Sequence, residues 1–110
     1  MPLTWIAWKG GKHSDTGAGY GFKVPIIDRD IHFKHEWPSV TLELPCNNSF
    51  AEVVVNIQKA SFWNNTCHEV INKKIGLWLF KSSLAPWPKR KPPKIFVEVI
   101  GERRFRILTT

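Results

Sequence analysis

The chain has 110 residues, of which 43% are hydrophobic and 23% are charged, and its formal net charge is +7. This length suits one domain with a single packed core, and the apolar content excludes a disordered chain. No segment approaches the roughly 18 uncharged apolar residues that span a membrane, and the first residues do not resemble a secretion signal. We therefore expect a single domain over residues 1–110, located in the cytoplasm and without a membrane partner.

The positive charge is concentrated in the last part of the chain. Residues 81–110 contain eight Lys or Arg and two Glu, whereas residues 1–80 contain eight basic and seven acidic residues. Clustered cations with few counter-charges attract phosphate or carboxylate groups, and the attraction weakens as salt rises. The distribution predicts a nucleic acid or an acidic protein as partner, with an ordinary solvated basic face as the alternative.

Alternating apolar residues predict strands in the first half of the chain. We expect them at residues 3–8, 20–27, 31–34, 40–44 and 53–57, with a turn at residues 36–39. Five of the seven glycines lie within residues 10–21. They let this loop turn sharply and approach a neighbouring surface closely.

One main helix is predicted over about residues 66–82. Thr66 and Glu69 have the spacing of a capping box, which satisfies backbone amides at a helix start. Gly76 inside this segment indicates close contact with a neighbouring element or a weakened turn. The expected inner face recurs at helical spacing and consists of Cys67, Ile71, Ile75, Trp78 and Leu79.

A proline-rich connector and a hairpin follow. Prolines 86, 88, 92 and 93 make residues 84–94 extended rather than helical. Alternation then predicts a hairpin of residues 95–100 and 103–108, with Arg104 and Arg106 on one face. The whole pattern predicts an α+β fold, with a curved antiparallel sheet of about six to seven strands packed on the main helix.

The connector and hairpin also provide a candidate nucleic-acid-binding site. Lys and Arg would contact phosphates, while Trp87 or Phe96 would stack on an unpaired base. The spacing matches no known binding motif. The candidate residues are Trp87, Lys89, Arg90, Lys91, Lys94, Arg103, Arg104 and Arg106.

Two other segments contain residue types found in functional sites. Lys12 and Ser14 in the glycine-rich loop echo a phosphate-binding loop, but the spacing differs and a strand follows instead of a helix. His32, His35 and Glu36 form the nearest approach to a metal or acid–base cluster, yet residues three apart on a strand face opposite sides. We predict no catalytic residue, no metal ligand and no cofactor.

Three segments of the last third of the chain carry a resemblance. Residues 75–79, 85–89 and 101–106 read IGLWL, APWPK and GERRFR. In these segments the chain resembles small open reading frames of unknown role that integron-type mobile gene cassettes carry. The resemblance implies a compact accessory protein and no particular activity.

We therefore expect a small, basic, non-enzymatic accessory protein that binds nucleic acid through its carboxyl-terminal face. One alternative is a protein-interaction or homo-oligomeric module that uses exposed aromatic residues and an unpaired sheet edge. Another is a small-ligand binder with a pocket between helix and sheet.

Overall fold

The computed structural model describes residues 3–11 and 16–108. Within this part of the chain, seven strands form one sheet and three short helices cover it. The elements, in chain order, are β1 (Leu3–Lys9), β2 (Tyr20–Lys23), α1 (Ile26–His32), β3 (Ser39–Cys46), β4 (Ser49–Asn56), α2 (Ala60–Trp63), β5 (Glu69–Ile71), α3 (Lys73–Lys81), β6 (Lys94–Gly101) and β7 (Arg104–Leu108).

The sheet has the strand order β4-β3-β7-β6-β1-β2-β5. Neighbouring strands are antiparallel except β3 and β7, which are parallel. The sheet curls until its end strands approach each other, and Nδ2 of Asn72, directly after β5, donates to the backbone oxygen of Val54 in β4 at 3.4 Å. A domain of helices with one curved, seven-stranded sheet is thus confirmed, but the expected antiparallel sheet is in fact mixed, because β3 and β7 are parallel, and it is nearly barrel-like.

The core lies inside this curved sheet. Trp5 on β1 is fully buried, and its ring contacts Phe22, Phe33 and Phe105 at centroid distances of 6.3, 6.1 and 5.5 Å. Phe33 in turn stacks on Phe105 at 4.7 Å. Because these rings come from β1, β2, β7 and the segment after α1, one aromatic cluster joins strands that are distant in sequence.

Residues 26–32 form a helix, so the strand expected at residues 31–34 is wrong and the strand from Tyr20 ends at Lys23. The alternation of Ile31 and Phe33 was misleading, because Ile27 and Ile31 lie four apart on the exposed side of α1. Arg29 is buried on the other side, and its Nη1 donates to the backbone oxygens of Phe62 at 3.0 Å and Asn64 at 2.5 Å. These hydrogen bonds hold α1 against α2, which sequence periodicity does not report.

The main helix begins at Lys73 instead of Thr66, so the predicted capping box is wrong. His68 has a φ of 42°, a left-handed conformation that no α-helix accommodates. Oδ1 of Asn64 instead accepts hydrogen bonds from the amides of Thr66 and Cys67, at 2.9 and 2.7 Å. The true N-cap is Asn72, whose side chain accepts from the amide of Lys74 at 2.8 Å.

The rest of α3 follows the prediction. Ile75, Trp78 and Leu79 are buried, and the helix ends at Lys81 with Ser82 as its C-cap, close to the expected end. Cys67 and Ile71 do not belong to this face because they precede the helix. The protein therefore does not have a single main helix packed on the sheet, because α1 and α2 also contribute buried residues.

Gly76 marks the close contact that its place in a helix indicated. A Cβ atom built on Gly76 would lie 2.3 Å from the backbone oxygen of Gly17, and one built on Gly17 would lie 2.7 Å from the oxygen of Lys73. Gly17 also has a φ of 84°. The last part of the glycine-rich loop thus packs directly on α3. This is the close approach to a neighbouring element that the glycines of the loop predicted.

The remaining predicted elements are confirmed. Strands β1, β3 and β4, the extended connector and the β6–β7 hairpin all occur. The turn before β3 lies at residues 35–36 instead of 36–39, because β3 already begins at Ser39. None of the three helices in residues 3–11 and 16–108 has the length and apolar character of a membrane-spanning helix.

Candidate nucleic-acid interface

The connector between α3 and β6 crosses the sheet beside β1 and is held at several points. The amide of Ala7 donates to the oxygen of Pro93 at 3.0 Å, which continues the β1–β6 pairing into the connector. The rings of Trp87 and buried Tyr20 form a T-shaped pair with a centroid distance of 5.8 Å. The amide of Lys91 donates to the oxygen of Pro88 at 3.0 Å and closes a turn. The basic residues are therefore presented from an anchored segment.

A groove of about 480 Å³ lies between the end of β1 and the connector. Seven residues line it: Ala7, Trp8, Lys9, Trp87, Lys89, Arg90 and Pro92. Its apolar walls include two indoles, and three of its side chains are cationic. Among the described residues, no carboxylate lines this groove, which we call the β1–connector groove.

Trp8 belongs to the outer side of β1, where it lies opposite Gly21 of β2. A Cβ atom on Gly10 would lie only 3.0 Å from Cη2 of Trp8, so the indole lies over the backbone of Gly10. A side chain at residue 10 would push the ring away. The sequence therefore provides a flat aromatic wall by placing a glycine two residues after the tryptophan.

The cations of the connector are exposed, and none of them forms an ion pair with another described residue. Lys89, Arg90, Lys91 and Lys94 are all exposed. The ion pairs found within the described residues involve Arg29, Arg104 and Arg106 and none of these four. Together with Lys9 they create a local positive potential that an anion can enter without displacing a carboxylate of residues 3–11 or 16–108.

Arg103, Arg104 and Arg106 are differently placed. Arg103 donates from Nε to the backbone oxygen of Ser39 at 3.1 Å and from Nη2 to its Oγ at 3.2 Å. Arg104 and Arg106 do share a face, as the alternation predicted, but that face also carries carboxylates. All three arginines donate hydrogen bonds to residues of β3, so these contacts hold β7 and the residue before it against β3.

The carboxylate between them is Glu43, which is buried at 8% exposure. Its Oε2 accepts from Nη1 of Arg104 at 2.6 Å, and its Oε1 accepts from Nε of Arg106 at 3.0 Å. Nη1 of Arg104 also contacts Oε2 of Glu52 at 2.6 Å. The hydrogen bond from Arg104, with further help from Arg106, lowers the pKa of Glu43 although burial opposes this.

The predicted site thus divides into two groups. Lys94 begins β6, whereas Arg104 lies opposite Gly101, seven residues along the same strand. At ~3.3 Å per residue the two positions are about 23 Å apart along β6. Trp87, Lys89, Arg90, Lys91 and Lys94 gather at the β1–connector groove or beside it, and Arg103, Arg104 and Arg106 lie towards the other end of the hairpin.

Sequence reasoning missed Trp8 and Lys9 as partners of the connector. The outward position of Trp8 was readable, since Trp8 has the same parity as the exposed Thr4 and Ile6 in a confirmed strand, whereas Lys9 has the parity of buried Trp5 and Ala7 and reaches the groove because β1 ends there. The proximity of β1 to residues 87–92 was not readable, because it follows from the pairing of β1 with β6.

The other candidate segments form no comparable site. His35 stacks on Trp63 at a centroid distance of 3.7 Å. No group of three or more His, Cys, Asp or Glu side chains that could hold a metal occurs in the described part of the chain. Lys12 and Ser14 lie outside the described residues. Cys46 and Cys67 are free thiols.

A smaller depression of about 220 Å³ lies between α3 and the β3–β4 hairpin, and bears on the expectation of a pocket between helix and sheet. Its lining includes Cys46, Trp78 and Lys81. Nε1 of Trp78 already donates to the oxygen of Pro45 at 2.9 Å. The β1–connector groove is the larger of the two and has more cations in its lining.

Comparisons of the chain with models of protein families, with curated proteins and with solved structures found no match, so the interface is interpreted from its own geometry.

Proposed function

We propose that this protein binds nucleic acid, without catalysing a reaction, through the β1–connector groove and the cations beside it. The observation that carries the proposal is the combination of two indoles with Lys9, Lys89 and Arg90 in one groove that no described carboxylate lines. Positive grooves with aromatic walls are the arrangement that binds single strands without sequence preference. The proposal moves the main contacts from the hairpin to the connector.

The charge balance supports this shift. Arg104 and Arg106 are already hydrogen-bonded to Glu43, so a phosphate would have to compete with a carboxylate held at 2.6 Å. Lys89, Arg90 and Lys91 have no such competitor among the described residues. Four phosphate contacts, with Lys9 included, predict a slope of about −3 for log K against log salt on single strands. Affinity should then fall about 50-fold between 50 and 200 mM salt.

The test is the binding of a fluorescent oligothymidylate of roughly 12 nucleotides, a length within the usual site sizes, across that salt range. The test variant combines Lys89→Ala, Arg90→Ala and Lys91→Ala. Its matched control combines Lys73→Ala, Lys74→Ala and Lys81→Ala, which removes the same charge from exposed positions on α3.

We expect the connector variant to lose at least tenfold in affinity and about 2 units of salt slope. The control variant should stay within about threefold of wild type, because none of its three lysines lines the groove and salt screens exposed charges. Equal losses in both variants would mean that net charge alone attracts the oligonucleotide. No binding to the wild type at low salt would overturn the proposal.

A second candidate function, homo-oligomerisation or binding of another protein, is favoured by one observation. Ile27 and Ile31 on α1 are 73% and 67% exposed, the highest values among the large hydrophobic residues described. Light scattering at high protein concentration tests it, with Ile31→Glu as the disrupting variant. A monomer at all concentrations, together with no partner recovered in a pull-down, would remove this candidate.

The resemblance to reading frames of mobile gene cassettes is also retained as a proposal, about the origin of the chain. The test is the sequence that flanks its coding region. A recombination site of the cassette type beside the reading frame would support the proposal, and ordinary chromosomal flanks would contradict it.

A further inference from the structure

We infer that the β1–connector groove holds one unpaired base together with its flanking phosphate, so that the protein selects single-stranded over double-stranded nucleic acid. This inference rests on the proposed function and deepens it. It assigns the two indoles to the base and the cations to the phosphates.

The size of the groove limits what enters it. A volume of about 480 Å³ lies in the range of sites that hold one small molecule. A nucleotide unit has that scale, whereas a duplex presents its base edges in grooves and keeps its base faces stacked inside. A base pair would have to open before either base could reach Trp8 or Trp87, and this opening costs free energy.

The fold fixes the positions of the two tryptophans that line the groove, Trp8 and Trp87. Trp8 is carried by β1 and lies over Gly10, where a side chain would displace it. Trp87 is held by the edge contact of its ring with Tyr20, which is fully buried. The two indoles therefore have separate supports, on β1 and on the connector. A preformed pair of walls reduces the ordering that binding would otherwise require.

The lining also predicts how the base is recognised. Ala7 and Pro92 add apolar surface, and Lys9, Lys89 and Arg90 add cations. Within the described part of the chain, no Asn, Gln, Asp or Glu lines the groove. These are side chains that commonly read base edges, so recognition rests on stacking and phosphate contacts. We therefore expect little discrimination among base sequences.

The cations flank the apolar walls on two sides. Lys9 ends β1, and its Nζ donates to the backbone oxygen of Gly11. Lys89 and Arg90 occupy the connector turn that the Pro88–Lys91 hydrogen bond closes, and Arg90 has a φ of 64°. A strand that places a base between the indoles can thus extend towards cations in both directions.

The experiment compares three probes of equal length at fixed low salt: an oligothymidylate, the same strand in a duplex, and an abasic strand with the same phosphates. Wild type, Trp8→Ala, Trp8→Phe and Gly10→Ala are measured with each probe. The thermal unfolding midpoint of every variant is measured as well, because Trp8 is partly buried.

We expect the wild type to bind the oligothymidylate at least tenfold more tightly than the duplex or the abasic strand. Trp8→Ala should abolish this preference and keep the salt slope, since the phosphate contacts remain. Trp8→Phe should restore a part of the preference, and Gly10→Ala should reduce it without removing any aromatic ring.

The two levels of the proposal fail differently. Equal affinity of the wild type for the oligothymidylate and the abasic strand would overturn the base site and leave the proposed function standing. The absence of binding to all three probes would overturn the proposed function itself. If Trp8→Ala does not fold, Trp8→Phe and Gly10→Ala decide: an unchanged preference in both would contradict the role of Trp8.

Discussion

Arg104 on β7 reaches diagonally across the parallel pair of β7 and β3 to Glu43, which lies two residues beyond its register partner Thr41, and Nη1 of the arginine is 2.6 Å from Oε2 of the carboxylate. The same carboxylate accepts a hydrogen bond from Arg106, so one buried glutamate binds two guanidinium groups of the neighbouring strand β7. These contacts give the parallel join side-chain hydrogen bonds in addition to its backbone pairing. They also explain why two conspicuous arginines contribute less free positive charge than the sequence implied.

Replacing Glu43 with Gln should destabilise the protein at neutral pH. The hydrogen bond from Arg104 holds the pKa of Glu43 below its ordinary value of 4.5. The carboxylate therefore stabilises the fold fully above about pH 4.5, and this contribution is lost as the pH falls through the lowered pKa. Glu43→Gln should cost about 1 kcal/mol at pH 7, since the partly exposed arginines regain water.

Urea unfolding of wild type and Glu43→Gln at pH 7 and pH 3 measures this effect. The difference between the two proteins should shrink at pH 3. Glu98→Gln is the matched control. Glu98 on β6 lies opposite Arg106 on β7, but it is exposed and forms none of the ion pairs seen in the described residues. A loss in Glu98→Gln as large as that in Glu43→Gln would contradict the role assigned to Glu43.

Alanine at Gly76 should destabilise the protein although it favours a helix. The added Cβ would lie 2.3 Å from the backbone oxygen of Gly17. The helix backbone fixes the position of the Cβ, and the oxygen is itself a backbone atom, so neither can rotate away. We expect a loss of about 2 kcal/mol in the free energy of unfolding, which exceeds the helix propensity gain of about 1 kcal/mol.

Gly101→Ala is the control for this substitution, because nothing lies within 4 Å of its added Cβ. Its stability should stay within about 0.5 kcal/mol of wild type. Chemical denaturation of both variants compares them directly. A stable Gly76→Ala protein would show that the glycine-rich loop does not pack on α3 in solution.

Arg29→Ala should be among the most destabilising single substitutions in the protein, because Arg29 is buried. The substitution leaves the backbone oxygens of Phe62 and Asn64 without the donor that now lies 3.0 and 2.5 Å away. We expect a loss of about 2–3 kcal/mol from these two acceptors. Asp30→Ala removes only the exposed partner of Arg29 and should cost about 0.5 kcal/mol or less. Equal effects of the two variants on thermal stability would refute this assignment.

Asn72 has two separable roles. Its Oδ1 caps α3 at the amide of Lys74, and its Nδ2 reaches the oxygen of Val54 across the gap between the end strands. Asn72→Ala should cost about 1 kcal/mol through the lost cap. Asn72→Asp retains an accepting oxygen and should stay close to wild type in thermal unfolding. If Asn72→Asp loses as much as Asn72→Ala, the contact between the end strands is the stronger of the two.

Local sequence patterns predicted the elements that place apolar side chains on one face, in the core, and polar side chains on the other. In β3, the apolar Val40, Leu42 and Leu44 share one buried face, and the polar Thr41 and Glu43 lie on the other, so the period of two appears in residue type although Glu43 is buried too. The hairpin of β6 and β7 was predictable for the same reason. The helix α1 was not, because Ile27 and Ile31 are exposed and the residue that anchors it is a buried arginine.

The start of α3 and the groove show two further limits. Thr66 and Glu69 had the right spacing for a helix cap, but His68 adopts a left-handed backbone conformation and Asn64 supplies the hydrogen bonds. The connector cations were identified from the sequence, whereas their meeting with Trp8 depends on β1 pairing with β6, about 90 residues later. Pairing over such separations leaves no local pattern to read.

The strand order has a consequence for how the chain reaches its native state. The β6–β7 hairpin lies in the middle of the sheet, between β3 and β4 on one side and β1, β2 and β5 on the other. Each earlier group of strands therefore keeps an open edge during synthesis until the hairpin inserts between them. A ribosome-bound chain that stops before β6 should hold two groups of strands that the hairpin has not yet joined. Its connector residues would already be synthesised, but the groove would lack the strand that draws them to β1.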